Sequence, residues 1–305
     1  MHSSSPFIVT LGEILWDMFP TGPRFGGAPA NFAHHAASLG ADVAIVSSVG
    51  NDELGQTALR KLRESTIQTQ HVVVSEQFAT GQVQVAVDAR GHASYRFNED
   101  EAWDHIRWTE ALEQLASRVD AVCFGTLAQR RQESRNTIRT FLEATPTRTL
   151  RVLDLNLRSP FYDDETIQSS LQLANVLKLN DDELKLIAEK FVDAGDAGDE
   201  KSQAQKLLDR FSLELVAVTR GSRGGLLVSK DDVSEEPAHA TTVRDTVGAG
   251  DTFTAAVTVG LLKKLPLQTI NQGACRMAEY VCSQSGATPK LPETLLSLWP
   301  AATKQ

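Results

Sequence analysis

The sequence predicts an α/β fold: a doubly wound, mostly parallel sheet with helices on both faces. Three observations carry that expectation. Short, uniformly apolar runs rich in Val, Ile and Leu recur along the chain, as strands buried on both faces require. Helix-compatible segments separate most of them, the alternation of a parallel sheet with crossover helices. One stretch, 80–98, instead alternates with period two about a turn, which marks an antiparallel hairpin.

In chain order, Phe7–Leu11 (FIVTL) reads as a central strand. Residues 28–39 are Ala-rich and end at Gly40, a suitable C-cap, so they read as a helix. A second strand at 43–49 (VAIVSSV) and a helix at 52–65 follow. The hairpin 80–98 turns at Asp88-Ala89-Arg90-Gly91 and, with 14–24, could form a small sheet projecting over the strand ends. The expected arrangement is one domain, 1–305, with a β lid formed by about 12–25 and 80–98. Further strands are expected at Ala121–Phe124, 151–154, 176–179, Leu215–Thr219 and 225–228. Helices are expected at 109–116, 132–144, 181–189, 201–211, 251–264 and 268–283. Residues 193–200 (DAGDAGDE) are acidic and poor in apolar residues, and read as a surface loop.

The composition, 41% hydrophobic and 23% charged over 305 residues, suits a soluble globular enzyme. A formal charge of −9 argues against a nucleic-acid surface, which needs clustered Lys and Arg. An anionic ligand must then be held by local donors or a metal rather than by a global field. Cys123, Cys275 and Cys282 have no metal-ligand or redox spacing; Cys275 and Cys282, seven apart on an expected helix, read as small hydrophobes on one buried face. The first residues lack a signal-peptide layout and no apolar run is long enough to span a bilayer, so a cytoplasmic location and no membrane partner are expected.

The most informative stretch is 245–253, DTVGAGDTF. Gly248, Ala249 and Gly250 carry little or no side chain, so their N–H groups can approach an oxyanion closely. The apolar run after them reads as a buried helix, which puts this cradle at a helix N-terminus. Asp251 then projects from the first turn toward the anion. A carboxylate there is poorly suited to phosphate binding but well suited to taking a proton from a hydroxyl that attacks phosphorus. The alternative is a plain strand-to-helix connection with Asp at the helix start.

Other strand ends carry further candidates. Gly26 and Gly27 permit close backbone approach, Asn31 offers a donor and an acceptor to a polyhydroxy ligand, and Asp17 could accept from paired hydroxyls. In DLNLR, 154–158, Arg158 could offset charge on a transferred phosphoryl group. Asn180 and Glu183 have capping-box spacing, and equally could meet nucleotide phosphates through Mg²⁺ and its waters. The glycines of 219–225 (TRGSRGG) suit a hairpin or a backbone wall against a nucleotide. His34 and His35 read as structural. Neither a Walker A sequence nor a Rossmann fingerprint is present.

The order GGAPAN, GNDELG, DLNLR, NDDE, TRGSRG, DTVGAGDTF resembles the ribokinase-like (PfkB-type) carbohydrate kinases over nearly the whole chain. LGE with Asp17 and GGAPAN is most similar to fructokinases and related ketose or sugar-acid kinases. The resemblance implies ATP-dependent phosphorylation of a monosaccharide, with Asp251 as base and Gly248, Ala249 and Gly250 as the anion hole. It places Asp17, Gly26, Gly27 and Asn31 on the sugar, and Asn180 and Glu183 about Mg²⁺. Thr219, Gly221 and Gly224 would line the ATP, and Asp245 would sit at a monovalent-cation (K⁺) loop. A nucleoside kinase of the same superfamily and a catalytically silent sugar sensor are the competing expectations. An exposed lid edge could pair two copies in a homodimer.

Overall fold

The computed structural model describes residues 5–87, 93–192, 198–239 and 241–299. The chain opens with β1 (Phe7–Leu11), the hairpin β2 (Leu15–Phe19) and β3 (Gly22–Gly26), then α1 (Ala28–Ser38). Next come β4 (Asp42–Gly50), α2 (Glu53–Glu64) and β5 (Val72–Ser75), followed by β6 (Gly81–Val87) and β7 (Ala93–Phe97). The middle of the chain runs α3 (Glu110–Ala116), β8 (Ala121–Phe124), α4 (Gln132–Glu143), β9 (Leu150–Asp154), α5 (Asp164–Leu173) and β10 (Val176–Asn180). It continues through α6 (Asp181–Phe191), α7 (Glu200–Phe211), β11 (Leu215–Thr219), β12 (Gly225–Ser229) and β13 (Val233–Glu236). Three helices close it: α8 (Ala249–Leu262), α9 (Leu267–Cys282) and α10 (Glu293–Leu296).

The larger sheet has nine strands in the order β13-β12-β11-β10-β9-β8-β1-β4-β5. Its ladders are parallel except those joining β11 to β12 and β12 to β13, so the expected doubly wound sheet is present. Strand alternation sends Ile8 of β1 into one apolar layer, with Val43, Ile45 and Phe253, and Val9 into the other, with Val122, Ile138 and Phe141. Both faces are therefore core, which is why these strands read as continuous apolar runs. Full burial of a side chain such as Phe253 contributes about 1.5–3 kcal/mol.

The chain progresses outward from β1 in both directions, to β4 and β5 on one side and to β8 and its successors on the other. That reversal puts a crevice at the C-terminal ends of β1 and β8, the position where open α/β sheets hold ligands.

A second sheet, β3-β2-β6-β7, stands over this crevice. Strand β2 pairs antiparallel with β3 and parallel with β6, bringing Asp17 opposite both Arg24 and Val83. Alternation along β2 turns Leu15, Asp17 and Phe19 toward the pocket. Trp16, on the other face, donates its indole N–H to the Leu54 carbonyl at 3.1 Å and ties the small sheet to α2. The expected hairpin is the pair β6–β7, while its turn, 88–91, lies outside the described residues. So does most of the loop expected at 193–200.

Periodicity gave no sign of β5, only four residues long, of the polar β13, or of α5, whose sequence DETIQSSLQL is mixed in polarity. The segment Ala102–Asp104 is a structural hub: Trp103 is buried beneath Arg130, whose guanidinium lies 3.9 Å from the indole and donates to Asp104. Among the described residues, no helix is long and apolar enough to cross a membrane.

Candidate active site

A cavity of about 340 Å³ opens between the two sheets, within the size range of small-molecule sites. Its wall brings together Asp17, Gly27, Asn31, Arg158, Gly248, Gly250 and Asp251, and adds Glu13, Asn156 and Lys178.

The base side is built on the start of α8. Gly248 sits in the left-handed region at φ 81°, and a Cβ there would lie 2.5 Å from the Ala287 carbonyl oxygen. No side chain caps this helix, so the N–H groups of Ala249, Gly250 and Asp251 lack intrahelical acceptors. Gly250 makes room for an ammonium, because a Cβ there would stand 3.0 Å from Lys178 Nζ. Asn31 Nδ2 donates to Asp251 Oδ2 at 2.8 Å and fixes that carboxylate. Burial, then the charge of Asp154, raises the Asp251 pKa to about 6, against the Asn31 hydrogen bond and the charges of Lys178 and Arg158. A carboxylate tuned this way is ionised at neutral pH yet basic enough to accept a hydroxyl proton.

Three members of this side, Lys178, Asp154 and Thr254, were not singled out by the sequence reading. Lys178 Nζ donates to Asp154 Oδ1 at 3.0 Å, and Thr254 Oγ1 donates to Asp154 Oδ2 at 2.7 Å. Burial disfavours the Lys178 ammonium, but the charges of Asp154 and Glu183 outweigh it and hold its pKa above the ordinary value. The available signal was a lone Lys inside the apolar run VLKLN.

On the sugar-facing side, Gly26 has no Cβ because one would stand 2.9 Å from Asp17 Oδ2. Gly27 adopts φ 103°, and its missing Cβ would press within 2.6 Å of the Glu13 carbonyl oxygen. Burial raises the Asp17 pKa, against the charges of Arg158 and Arg24. Asn31 Oδ1 is buried without a hydrogen-bond partner. Arg158 is exposed at the rim, where its guanidinium reaches the Leu157 carbonyl at 3.3 Å. Asn156 holds a left-handed φ of 40°, a conformation that Asn tolerates and that turns the strand end into the pocket.

The residues expected to meet the nucleotide form a separate group on neighbouring strand ends, with Asn180 and Thr219 in register across β10 and β11. Asn180 Oδ1 accepts from the Glu183 N–H at 2.8 Å, and Glu183 Oε2 accepts from the Asn180 N–H at 2.9 Å, a complete capping box. Glu183 Oε1 also accepts from the Leu157 N–H at 2.8 Å, tying the Arg158 loop to α6. Gly221, at φ 54°, has open space where a Cβ would be. At Gly224 a Cβ would strike the Glu236 carbonyl at 2.0 Å, so only glycine lets the two segments pack this closely.

No group of three or more His, Cys, Asp or Glu placed to hold a metal occurs among the described residues. Glu183 alone fits Mg²⁺, which binds through one or two carboxylates, waters and substrate phosphates, because each oxygen keeps a lone pair. Asp245 precedes the glycine cradle. Its Oδ1 accepts from the Val247 N–H and its Oδ2 from the Gly286 N–H, both at 3.1 Å, and Arg24 lies 3.6 Å away. His34 pairs with Ser65, and buried His35 with the Ala287 carbonyl at 2.9 Å, as structural residues.

A model of the pfkB family of carbohydrate kinases matches residues 21–294. A fructokinase of Klebsiella pneumoniae is 30% identical over 83% of this chain and 84% of its own length. An ATP-dependent 6-phosphofructokinase of Thermoanaerobacterium thermosaccharolyticum is 28% identical over 94% and 91%. Among solved structures, a sugar kinase of Pyrococcus horikoshii in complex with ATP superposes with a TM-score of 0.76 at 25% identity, covering 92% of this chain and 94% of that one. The uncapped glycine turn with its aspartate, the crevice at the strand reversal and these likenesses converge: the chain belongs to the pfkB family of carbohydrate kinases, phosphotransferases that act on a sugar hydroxyl.

Proposed function

We propose that this kinase transfers the γ-phosphoryl group of ATP to fructose or a closely related ketose or sugar acid. The observation that carries the reading is Asp251, fixed by Asn31 beside an uncapped helix start and facing Asp17 across one cavity. Asp17, Asn31 and the backbone at Gly26 and Gly27 hold the sugar hydroxyls. Asp251 takes the proton of the attacking hydroxyl as its oxygen bonds to the γ-phosphorus and ADP leaves. The N–H groups at Gly248, Ala249 and Gly250 meet the charge on the phosphoryl oxygens, supported by Lys178 and Arg158. Asn180, Thr219, Gly221 and Gly224 border the ATP, and Glu183 would hold Mg²⁺ through water; the ion, when bound, would neutralise phosphate charge. The small sheet serves as a lid of a single domain.

A nucleoside acceptor is the second reading, favoured by the apolar patch Leu15, Phe19, Val83 and Phe97 on the cavity wall, which suits a flat base. ADP release from MgATP would be followed against fructose, other ketoses, sugar acids, fructose 6-phosphate and adenosine. The highest kcat/KM is expected for fructose or a related ketose or sugar acid. A preference for adenosine moves the assignment to nucleosides, and a preference for fructose 6-phosphate moves it to sugar phosphates.

A further inference from the structure

Behind the main cavity lies a smaller one of about 20 Å³, lined by Thr10, Glu13, Cys123, Thr126, Asp154 and Asn156 among others. Its volume admits one water, and its polar lining supplies the partners a buried water needs. Thr10 Oγ1 is fully buried there without a hydrogen-bond partner. Glu13 is the hinge between the two cavities: only 5% exposed, it lines both. Burial and the Asp251 charge push its pKa up, while the backbone N–H groups of Glu13 itself and of Ala28, at the start of α1, pull it down.

We propose that Glu13 is a positioning residue for the base: seated on a buried water shared with Thr10, it keeps its proton while Asp251 is ionised, so the pair carries one negative charge. The proposal rests on the kinase reading above and adds to it a second acid. Two ionised carboxylates beside the incoming phosphoryl group would repel it and each other. The environment separates their roles. Asp251 has the Asn31 hydrogen bond and the charges of Lys178 and Arg158 in its favour, and titrates at about 6. Glu13 is the more deeply buried of the two and has no such side-chain donor, and burial raises its pKa to about 7.

The charged and titratable groups facing this pair are Asp17 from β2, Cys123 from β8, Asp154 from β9, Lys178 from β10 and Arg158 from the loop after β9. All of them remain when Glu13 alone is changed. Rising pH first ionises Asp251 and switches the base on. It then ionises Glu13, which adds a second negative charge and lowers turnover.

The test is Glu13→Gln, which keeps the shape and removes the titration. The ratio of kcat/KM at pH about 8 to that at about 6.5 should rise roughly fivefold over the parent, because the alkaline decline set by Glu13 is gone. An unchanged ratio overturns the proposal. A second readout needs no sugar and stands even if the assigned acceptor is wrong. In protein labelled with ¹³C at glutamate carboxyls, two resonances should titrate near 7, from Glu13 and from the similarly buried Glu101. Glu13→Gln should remove one of them, and Thr10→Val should move that one upward by withdrawing the water's anchor. Failure to lose a resonance titrating in that range, or an unmoved midpoint in Thr10→Val, overturns the proposal.

Discussion

Two helix starts at the strand ends of the large sheet are built in opposite ways. Helix α6 begins at Asn180 with a full capping box, so its first donors are spent within the protein. Helix α8 begins at Gly248 with no side-chain cap; its Ala249 N–H donates to the Thr246 carbonyl at 3.4 Å, while Gly248, Gly250 and Asp251 line the cavity. Both starts carry an acid in the first turn, Glu183 and Asp251. Glu183 uses both oxygens on backbone N–H groups, whereas the Asp251 side chain, among the described residues, is bonded through Oδ2 to Asn31. A closed start holds the scaffold together, and an open one is free to hold a ligand and do chemistry.

The largest effect should come from breaking the open start. Asp251→Asn keeps the shape but cannot accept a proton, so turnover should fall by about 10²–10⁴-fold. Sugar and nucleotide binding, followed by calorimetry, should survive nearly intact. Turnover near the parent rate would remove Asp251 from the base role. In the parent, kcat/KM should fall as pH drops through about 6, because the raised pKa means the base becomes protonated there.

Gly248→Ala tests the turn rather than the acid. It puts a Cβ into a left-handed position, 2.5 Å from the Ala287 carbonyl, so the turn must shift or strain. The strain should cost about 1–3 kcal/mol of stability. Thermal protection by MgATP should shrink with it as the N–H groups lose their aim. A variant with normal ATP protection would show that these donors do not meet the phosphates.

The sequence disclosed the open start well and the rest of the site unevenly, for a physical reason. GAGD followed by an apolar run is local, so cradle, helix and acid could be read from adjacent residues. The strands were legible because burial on both faces leaves continuous apolar runs. Lys178, Asp154 and Thr254 depend on three distant segments converging, and nothing local in VLKLN says which partner meets the lysine. Glu13 stood inside the recognised LGE motif, yet its burial between two cavities follows only from the packing of β1 against α1 and β8. Glu183 was open to two readings from spacing alone. Its hydrogen bonds realise the capping box and add a tie to Leu157 that spacing could not reveal.

That tie makes Glu183→Gln the test of the closed start. Gln keeps one acceptor but turns an NH₂ group toward the other N–H, leaving a buried donor unpaired at a cost of about 1–3 kcal/mol. If the carboxylate also reaches Mg²⁺ through water, the half-saturating Mg²⁺ concentration should rise more than the sugar KM does. Lower melting temperature with unchanged Mg²⁺ dependence would confine Glu183 to the scaffold and sharpen the contrast with Asp251.

The smallest effect concerns what supports the open start from outside the helix. Asp245 braces the turn through the Val247 and Gly286 N–H groups, and Arg24 of the small sheet already supplies a positive charge 3.6 Å from its carboxylate. The guanidinium also lies over the Phe19 ring at 4.4 Å, so it is held from both sides. A partly exposed pair of this kind contributes little, so Arg24→Met should cost no more than about 0.2–1 kcal/mol. With Arg24 gone, the Asp245 carboxylate is left to a mobile cation, and replacing choline by K⁺ should raise both melting temperature and kcat more in Arg24→Met than in the parent. Equal responses to K⁺ in the two proteins would show that the arginine and a monovalent cation do not compete for Asp245.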